Sequence, residues 1–215
     1  MGVNVDIRNG SGSGTLVLLP GGDVQDDGIV LQPVDDAYTY HPDYKDFIQN
    51  VLQEVSRLVI VSGEDMPEMY QTYLQNTDLG QKPILVGHSA GGFVGFELAK
   101  NPPLNQLFSQ ILLFNVPFVN PFVGNLALRT CLTNMKLIPK GRVLVIMSKF
   151  DSKLTEKNFP GITAAIQQVE DSGNITLRTY DADPSYDHSP FAPTDHAWEF
   201  VKTIRLQQLL NAGNQ

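Results

Sequence analysis

The sequence predicts an α/β protein, in which a mostly parallel sheet carries helices on both of its faces. From Thr15 to the end, short and nearly continuous apolar runs alternate with segments whose apolar residues recur at helical spacing. No internal repeat and no linker divides the chain, and 215 residues suit one sizeable hydrophobic core. We therefore expect a single domain over residues 1–215.

The predicted strands are apolar runs bounded by turn residues. Val3, Val5 and Ile7 alternate with polar residues and predict an edge strand, which the turn "NGSGSG" separates from a buried strand, "TLVLLP". The glycines of that turn precede a strand instead of following one, so they do not form a dinucleotide-binding loop. The later predicted strands are "LVIV" at 58–61, "PILVG" at 83–87, "QILLFNVP" at 110–117, "RVLVIMS" at 142–148 and "NITLRTY" at 174–180.

The predicted helices lie between these strands. One runs from Pro42 to Arg57, and "DMPEMYQTYLQN" predicts a second, with Pro67 in its first turn. The helix after "PILVG" is apolar on most sides, which indicates full burial. Two more helices are predicted from apolar residues at helical spacing: Ile162, Ala165, Ile166 and Val169, and then Ala197, Phe200, Val201 and Ile204.

The overall charge and the chain start exclude several classes of partner. The formal net charge of −8, with no basic run, disfavours nucleic acid because a phosphate backbone would be repelled. No apolar stretch is long enough to span a membrane, and the start lacks a leader, so we expect a cytosolic (cytoplasmic) protein or one packaged with something else. A lone Cys131 permits neither an internal disulfide nor a structural zinc site, and we expect no metal and no cofactor.

Ser89 lies two residues from a glycine on each side in "GHSAG", between a predicted buried strand and a predicted buried helix. In this Gly-x-Ser-x-Gly pattern the turn at Ser89 is so tight that a Cβ at Gly87 or Gly91 would meet neighbouring backbone. The serine hydroxyl is then held above the carboxyl edge of the sheet, next to the positive end of a helix. Such a placement is typical of a nucleophile.

With this motif in this context, the chain resembles the α/β-hydrolase superfamily of serine esterases, lipases and thioesterases over nearly its whole length from Thr15 onward. The resemblance implies a Ser-Asp-His triad in the chain order nucleophile, acid, histidine. Asp151, at the end of the strand "RVLVIMS", matches the family's usual acid loop. The family's alternative acid site follows the preceding strand, where this chain has Asn115 and no carboxylate.

Four histidines compete for the role of the base. His188 follows the last predicted strand and could reach over the sheet edge toward Ser89, so we prefer it to His196, which lies in the first turn of the predicted closing helix. His41 precedes the acid, outside the expected order. His88 is the variable residue of the motif, and we expect its side chain to point away from the nucleophile. Both are interpreted as structural residues.

Acyl transfer also requires donors for a developing oxyanion. We call the sharp strand-to-helix turn at Ser89 the elbow. Its geometry suggests the backbone N–H of Ala90 as one donor. The other should come from the loop after the first buried strand, "LLPGGDVQDDG", where Gly22 is the best candidate and Asp23 the next. Members of the family often have His-Gly at the start of this loop, whereas this chain has Pro20 and Gly21.

An apolar segment between the predicted strands at 110–117 and 142–148 corresponds to the family's cap. If residues 117–139 form a cap it is small, and its apolar side chains favour an acyl or other apolar group near the serine. The same residues could equally form a core helix pair. Candidate pocket residues in the segment are Phe118, Phe122 and Leu126.

The function expected from these residues is hydrolysis of a carboxylic ester or thioester through an acyl-enzyme at Ser89. A small-molecule acyl ester or thioester is the expected partner, with esterase or lipase-like activity first and thioesterase activity next. Two alternatives use the same fold: an acyltransferase, in which an alcohol or amine replaces water, and a hydrolase-fold protein that binds without catalysis.

Overall fold

A computed structural model describes residues 2–25, 28–34, 43–65, 67–119, 132–181 and 188. Within these residues nine strands form one sheet: β1 (Val3–Asn9), β2 (Thr15–Leu19), β3 (Gly22–Gln25), β4 (Gly28–Leu31), β5 (Arg57–Asp65), β6 (Ile84–His88), β7 (Gln110–Phe114), β8 (Val143–Ser148) and β9 (Ile175–Tyr180). The described helices are α1 (Asp43–Glu54), α2 (Pro67–Asn76), α3 (Ala90–Lys100), α4 (Pro102–Asn105) and α5 (Ile162–Asp171), with a 3₁₀ turn at Met135–Leu137.

The sheet is parallel over most of its width. Its order is β3-β4-β5-β2-β6-β7-β8-β9, and every neighbouring pair from β5 to β9 is parallel. Antiparallel pairing is confined to one side, where β3 pairs with β4, and both β4 and β1 pair with β5. The central register sets Leu19 opposite Gly87 and Gly87 opposite Leu113, so β2, β6 and β7 end at the same edge.

Helices cover both faces, as the sequence predicts, because alternate strand residues belong to two separate core clusters. In β2, Leu16 and Leu18 pack in the cluster that contains Phe47 and Val51 of α1. Val17 and Leu19 of the same strand pack in the other cluster, which receives the apolar residues of three helices: Tyr70 and Leu74 of α2, Val94, Phe96 and Leu98 of α3, and Ile162, Ala165 and Val169 of α5. The period of two in the strand thereby separates the two helix layers.

The hairpin formed by β3 and β4 differs from the sequence-based interpretation, in which this segment is a loop. Each strand has only four residues, so the apolar pattern is too short to give a clear period of two. A turn signal was present all the same, in the run Asp26-Asp27-Gly28 that begins directly after β3. The predicted strand at 58–61 also proves longer, since β5 continues to Asp65 in order to pair with β4.

Parts of the predicted cap and of the closing helix lie outside the described residues. At the two described ends of segment 117–139, Phe118, Val119, Leu132, Met135 and Ile138 are all buried in the larger core cluster. Residues 120–131, which include Phe122, Leu126 and Cys131, lie outside the description, as do the predicted helix at 197–204, His41 and His196. The described ends of the segment are therefore core, and the cap stays a prediction.

We expect the Tyr70→Phe variant to lose about 1–3 kcal/mol of unfolding free energy, because the single hydroxyl proton of Tyr70 is shared between two main-chain carbonyl oxygens. The fully buried Tyr70 hydroxyl lies 2.8 Å from the Ile29 carbonyl of β4 and 2.8 Å from the Gly63 carbonyl of β5. Urea unfolding followed by circular dichroism measures the loss. Tyr73→Phe, on the same helix but only half-buried, is the matched control, and equal effects of the two changes would contradict the prediction.

Candidate active site

Ser89 lies at the sharp turn between β6 and α3. Its backbone has φ 52° and ψ −119°, a conformation that residues with a side chain rarely adopt. The turn is anchored because the Ser89 N–H donates to the Phe114 carbonyl at the end of β7, at 2.9 Å. The side chain is half-buried and faces the carboxyl edge of the parallel strands, where the partners described below converge.

The glycines on either side of Ser89 allow this turn. A Cβ on Gly91 would collide with the carbonyl oxygens of Leu19 and Pro20, where β2 ends. A Cβ on Gly87 would lie 2.6 Å from the Gly91 carbonyl oxygen. Both contacts are with main chain, which cannot move aside cheaply, so only glycine fits at these two positions. The crowding that the motif predicts is present at both.

Asp151 follows β8 and is held rigidly in a buried position. Its side chain is 3% exposed. One carboxylate oxygen, Oδ1, accepts hydrogen bonds from the Lys153 and Leu154 N–H groups at 2.8 and 3.0 Å. The other oxygen, Oδ2, lies 2.7 Å from Nδ1 of His188. The buried carboxylate therefore has partners on both oxygens, which a charge in this position requires.

His188 bridges Asp151 and Ser89. Its Nε2 lies 2.9 Å from the Ser89 hydroxyl oxygen, so the three residues form one continuous hydrogen-bonded chain. An ionised carboxylate can only accept, which assigns the imidazole proton to Nδ1 and leaves the lone pair of Nε2 facing the serine hydroxyl. The structure brings the predicted serine, acid and histidine together; their catalytic roles are taken up below.

The loop that follows Asp151 is fixed by an exposed carboxylate. Glu156 accepts hydrogen bonds from the N–H groups of Gly161 and Thr163, at 2.7 and 2.8 Å, around the start of α5. Hydrogen bonds from the Thr163 side chain and from these two N–H groups lower the pKa of Glu156 from its ordinary value. The charged form of Glu156 thus ties the acid loop to the helix behind it.

The predicted oxyanion donors lie on the two sides of the elbow. Ala90 is the first residue of α3, where backbone N–H groups have no partner within the helix. Gly22 proves to be the first residue of β3 and not a loop residue. Gly22 pairs with Leu31, and the Gln32 N–H donates to the Gly21 carbonyl, so Gly22 and Leu31 form a non-hydrogen-bonded pair of the antiparallel ladder. In such a pair the N–H groups point away from the partner strand, and the Gly22 N–H is therefore turned away from β4. The same alternation directs the Asp23 N–H into the hairpin.

The segment that carries Gly22 passes close to the nucleophile. A Cβ placed on Gly21 would lie 3.6 Å from the Ser89 Cβ and 3.1 Å from Nδ1 of His88. The tight contact is with the His88 ring, whereas 3.6 Å is an ordinary van der Waals distance, so the main chain at Gly21 passes directly beside the serine. The Gly22 N–H points away from the hairpin and the Asp23 N–H points into it, and the role of either group as the second oxyanion donor stays a prediction.

Two residues of the site were not found as such from the sequence. The sequence predicts that the His88 side chain points away from the nucleophile. In the structure its Nε2 lies 2.8 Å from the main-chain carbonyl oxygen of His188, and the two rings lie 5.2 Å apart. Asn115 was noted only because it is not a carboxylate, but its Nδ2 contacts the same carbonyl oxygen at 2.8 Å. No periodic or motif signal in the sequence marks either contact.

Of the three candidate pocket residues, Phe118 lies within the described part of the chain. Phe118 is fully buried and packs edge-on against Phe96 with ring centroids 5.2 Å apart, so its pocket role stays a prediction. Across the described ranges, no group of three or more histidine, cysteine or acidic residues is arranged to hold a metal ion. None of the helices described is both long and apolar enough to cross a membrane.

The topology and the elbow after β6 define the α/β-hydrolase fold, and comparison with solved structures agrees. The Pyrococcus furiosus esterase Pf2001 aligns with a TM-score of 0.60 at 12% identity, over 98% of this chain and 87% of that one. Est1E from Butyrivibrio proteoclasticus aligns with a TM-score of 0.58 at 10% identity, over 98% and 94% of the two chains. The sequence matches no protein-family model and no curated protein.

A third similar structure is that of an esterase with a bound acid. Esterase Est2 of Thermogutta terrifontis, with butyrate bound, aligns with a TM-score of 0.59 at 12% identity, over 98% of this chain and 90% of that chain. The same enzyme has also been solved phosphoramylated by tabun. Because the identities are only 10% and 12%, the similarity to these structures establishes the fold alone.

We expect Gly91→Ala to destabilise the protein, although alanine normally stabilises a helix relative to glycine. The added methyl group meets the Leu19 and Pro20 carbonyls, and overpacking of this kind costs roughly 1–3 kcal/mol. The loss is measured by denaturant unfolding. Gly92→Ala is the control, because its methyl group would lie 3.0 Å from a side-chain carbon of Val116 and 3.3 Å from the Phe114 carbonyl oxygen, both much wider than the main-chain contacts at Gly91. A gain in stability from Gly91→Ala would refute the close approach.

Proposed function

We propose that this protein is a serine hydrolase that cleaves a carboxylic ester or thioester through an acyl-enzyme at Ser89. The observation that carries the proposal is the unbroken hydrogen-bonded chain from Asp151 through His188 to Ser89, with links of 2.7 and 2.9 Å. A serine hydroxyl at neutral pH is a weak nucleophile, and a base held at this distance activates it.

In the first half of the proposed reaction, the Ser89 oxygen attacks the substrate carbonyl carbon. Nε2 of His188 accepts the hydroxyl proton as the new carbon–oxygen bond forms. The resulting imidazolium lies beside the Asp151 carboxylate, which stabilises the charge and keeps the ring in the required tautomer. His188 then returns the proton to the leaving alcohol or thiol, and the acyl group stays on Ser89.

Two main-chain donors, the N–H groups of Ala90 and Gly22, stabilise the negative charge that develops on the substrate oxygen in the proposed reaction. The helix that begins at Ala90 also directs its positive end toward this position. These donors are fixed by α3 and by the β3–β4 hairpin, so little rearrangement is needed when the charge forms.

In the second half, water replaces the leaving group. His188 removes a proton from water, which attacks the acyl carbonyl, and the proton passes to the Ser89 oxygen as the acid is released. An ester is the first choice of substrate, since the similar structures are esterases and one of them holds butyrate. Thioesters follow the same steps with a thiol as leaving group.

Labelling with a fluorophosphonate tests the nucleophile. We expect one adduct per chain, located at Ser89 by peptide mapping, and none in Ser89→Ala or His188→Ala. Ser62→Ala, which alters a buried serine of β5, is the control and should label like the native protein. A folded native protein that takes up no label, or takes it up at another residue, would reject the proposal.

Replacement of the acid tests the orienting role of the carboxylate. We expect Asp151→Asn to lower kcat by roughly 10³- to 10⁴-fold, because an amide no longer fixes the tautomer of His188 or stabilises its charged form. Hydrolysis of p-nitrophenyl esters of graded chain length provides the measurement. The control is Asp181→Asn, which removes an exposed carboxylate paired with Lys149. Asp181→Asn should retain native kcat. If Asp151→Asn also retained it, Asp151 would not be the acid.

A further inference from the structure

The main-chain carbonyl of His188 accepts two side-chain hydrogen bonds. One comes from Nε2 of His88 and the other from Nδ2 of Asn115, each at 2.8 Å. A carbonyl oxygen has two lone pairs, so these two donors can satisfy both of them. We call His88 and Asn115 together the carbonyl clamp.

His88 connects the clamp to the nucleophile. It is the last residue of β6 and immediately precedes Ser89, and its side chain is buried. Because a carbonyl oxygen can only accept, Nε2 of His88 must carry a proton and donate it. The backbone of His188 is therefore tied to the residue next to the serine that its ring contacts.

Asn115 connects the clamp to the two neighbouring strands. It follows β7 with a left-handed backbone, φ 47°, and is fully buried. Its Oδ1 accepts from the Ser148 N–H at 2.7 Å, while Nδ2 contacts the Tyr180 hydroxyl at 2.9 Å as well as the His188 carbonyl. An N–H donor on one side and a carbonyl acceptor on the other fix the orientation of the amide.

We propose that His88 and Asn115 are positioning residues that set the imidazole of His188 relative to Ser89 and Asp151. The inference rests on the proposed function. The ring of His188 contacts Asp151 and Ser89, and the clamp adds two bonds at the backbone carbonyl of the same residue. The four contacts come from the ends of β6, β7 and β8, which lie side by side in the sheet.

The clamp also gives a physical reason for an amide at position 115. A carboxylate there could still accept from the Ser148 N–H, but it would present an unprotonated oxygen to the carbonyl of His188. Two acceptors that face each other in a buried position repel, and the contact between residue 115 and the His188 carbonyl would lose its hydrogen bond. The requirement for a donor thus selects asparagine over aspartate at this strand end.

The test uses Asn115→Asp, which keeps the side-chain shape, tolerates the left-handed backbone and retains the acceptor for Ser148. We expect kcat for a p-nitrophenyl ester to fall about tenfold with little change in KM, from the loss of one buried hydrogen bond. Asn105→Asp is the matched control. It alters another buried asparagine, whose amide donates to the Ala99 and Leu137 carbonyls, and it should leave kcat unchanged.

The second arm replaces His88. We expect His88→Leu to lower kcat by a similar factor, and His88→Gln, which restores an N–H donor, to recover part of the loss. In a His188→Ala background, the changes at 88 and 115 should have no further effect on residual turnover, because they act through His188. Full additivity in that background, or native kcat in both Asn115→Asp and His88→Leu, would overturn the proposal.

A third arm does not depend on turnover. In protein with ¹⁵N-labelled histidine, the Nδ1 proton of His188 should exchange slowly with water in the native chain and faster in Asn115→Asp. Unchanged exchange would overturn the clamp. A native protein that neither turns over esters nor takes up fluorophosphonate would instead reject the proposed function, and the exchange measurement would still decide whether the clamp holds His188.

Discussion

The close approach between the first turn of α3 and the end of β2 is the constraint on which the site depends. It is possible because Gly91 has no side chain between the helix and the Leu19 and Pro20 carbonyls. The approach forces Ser89 into a strained backbone conformation, which costs of order 1–3 kcal/mol. Burial of α3 offsets this cost, since each of its large apolar side chains, such as Val94, Phe96 and Leu98, contributes roughly 1.5–3 kcal/mol.

Hydrogen bonding decides which polar side chains this edge of the sheet can hold. A buried polar group without a partner costs about 1–3 kcal/mol, and a buried charge costs more. Asp151 meets this requirement with two backbone N–H groups and an imidazole, and Asn115 does so with one acceptor and two donor contacts. Each of these bonds also fixes a direction, so the groups that stabilise the edge orient the histidine as well.

The sequence was sufficient to predict most strands of the sheet and to select the three residues of the proposed triad. Strands β6 and β8 are mostly apolar runs; Ser89 follows β6 directly, and Asp151 is the third residue after β8. The β3–β4 hairpin was missed because four-residue strands carry little periodicity. The roles of His88 and Asn115 were missed for another reason. Their bonds reach a main-chain atom 100 and 73 residues away, and such a contact leaves no local pattern.

The charge of the groups around His188 matters as much as their position. In the proposed cycle the imidazole gains a proton and loses it again, so its surroundings must suit both states. Asp151 supplies one negative charge at Nδ1, where the imidazolium needs it. The amide of Asn115 holds the backbone of the same residue without adding a second charge. With one acid and one amide on neighbouring strand ends, stabilisation of the imidazolium charge and positioning of the ring are carried by different side chains.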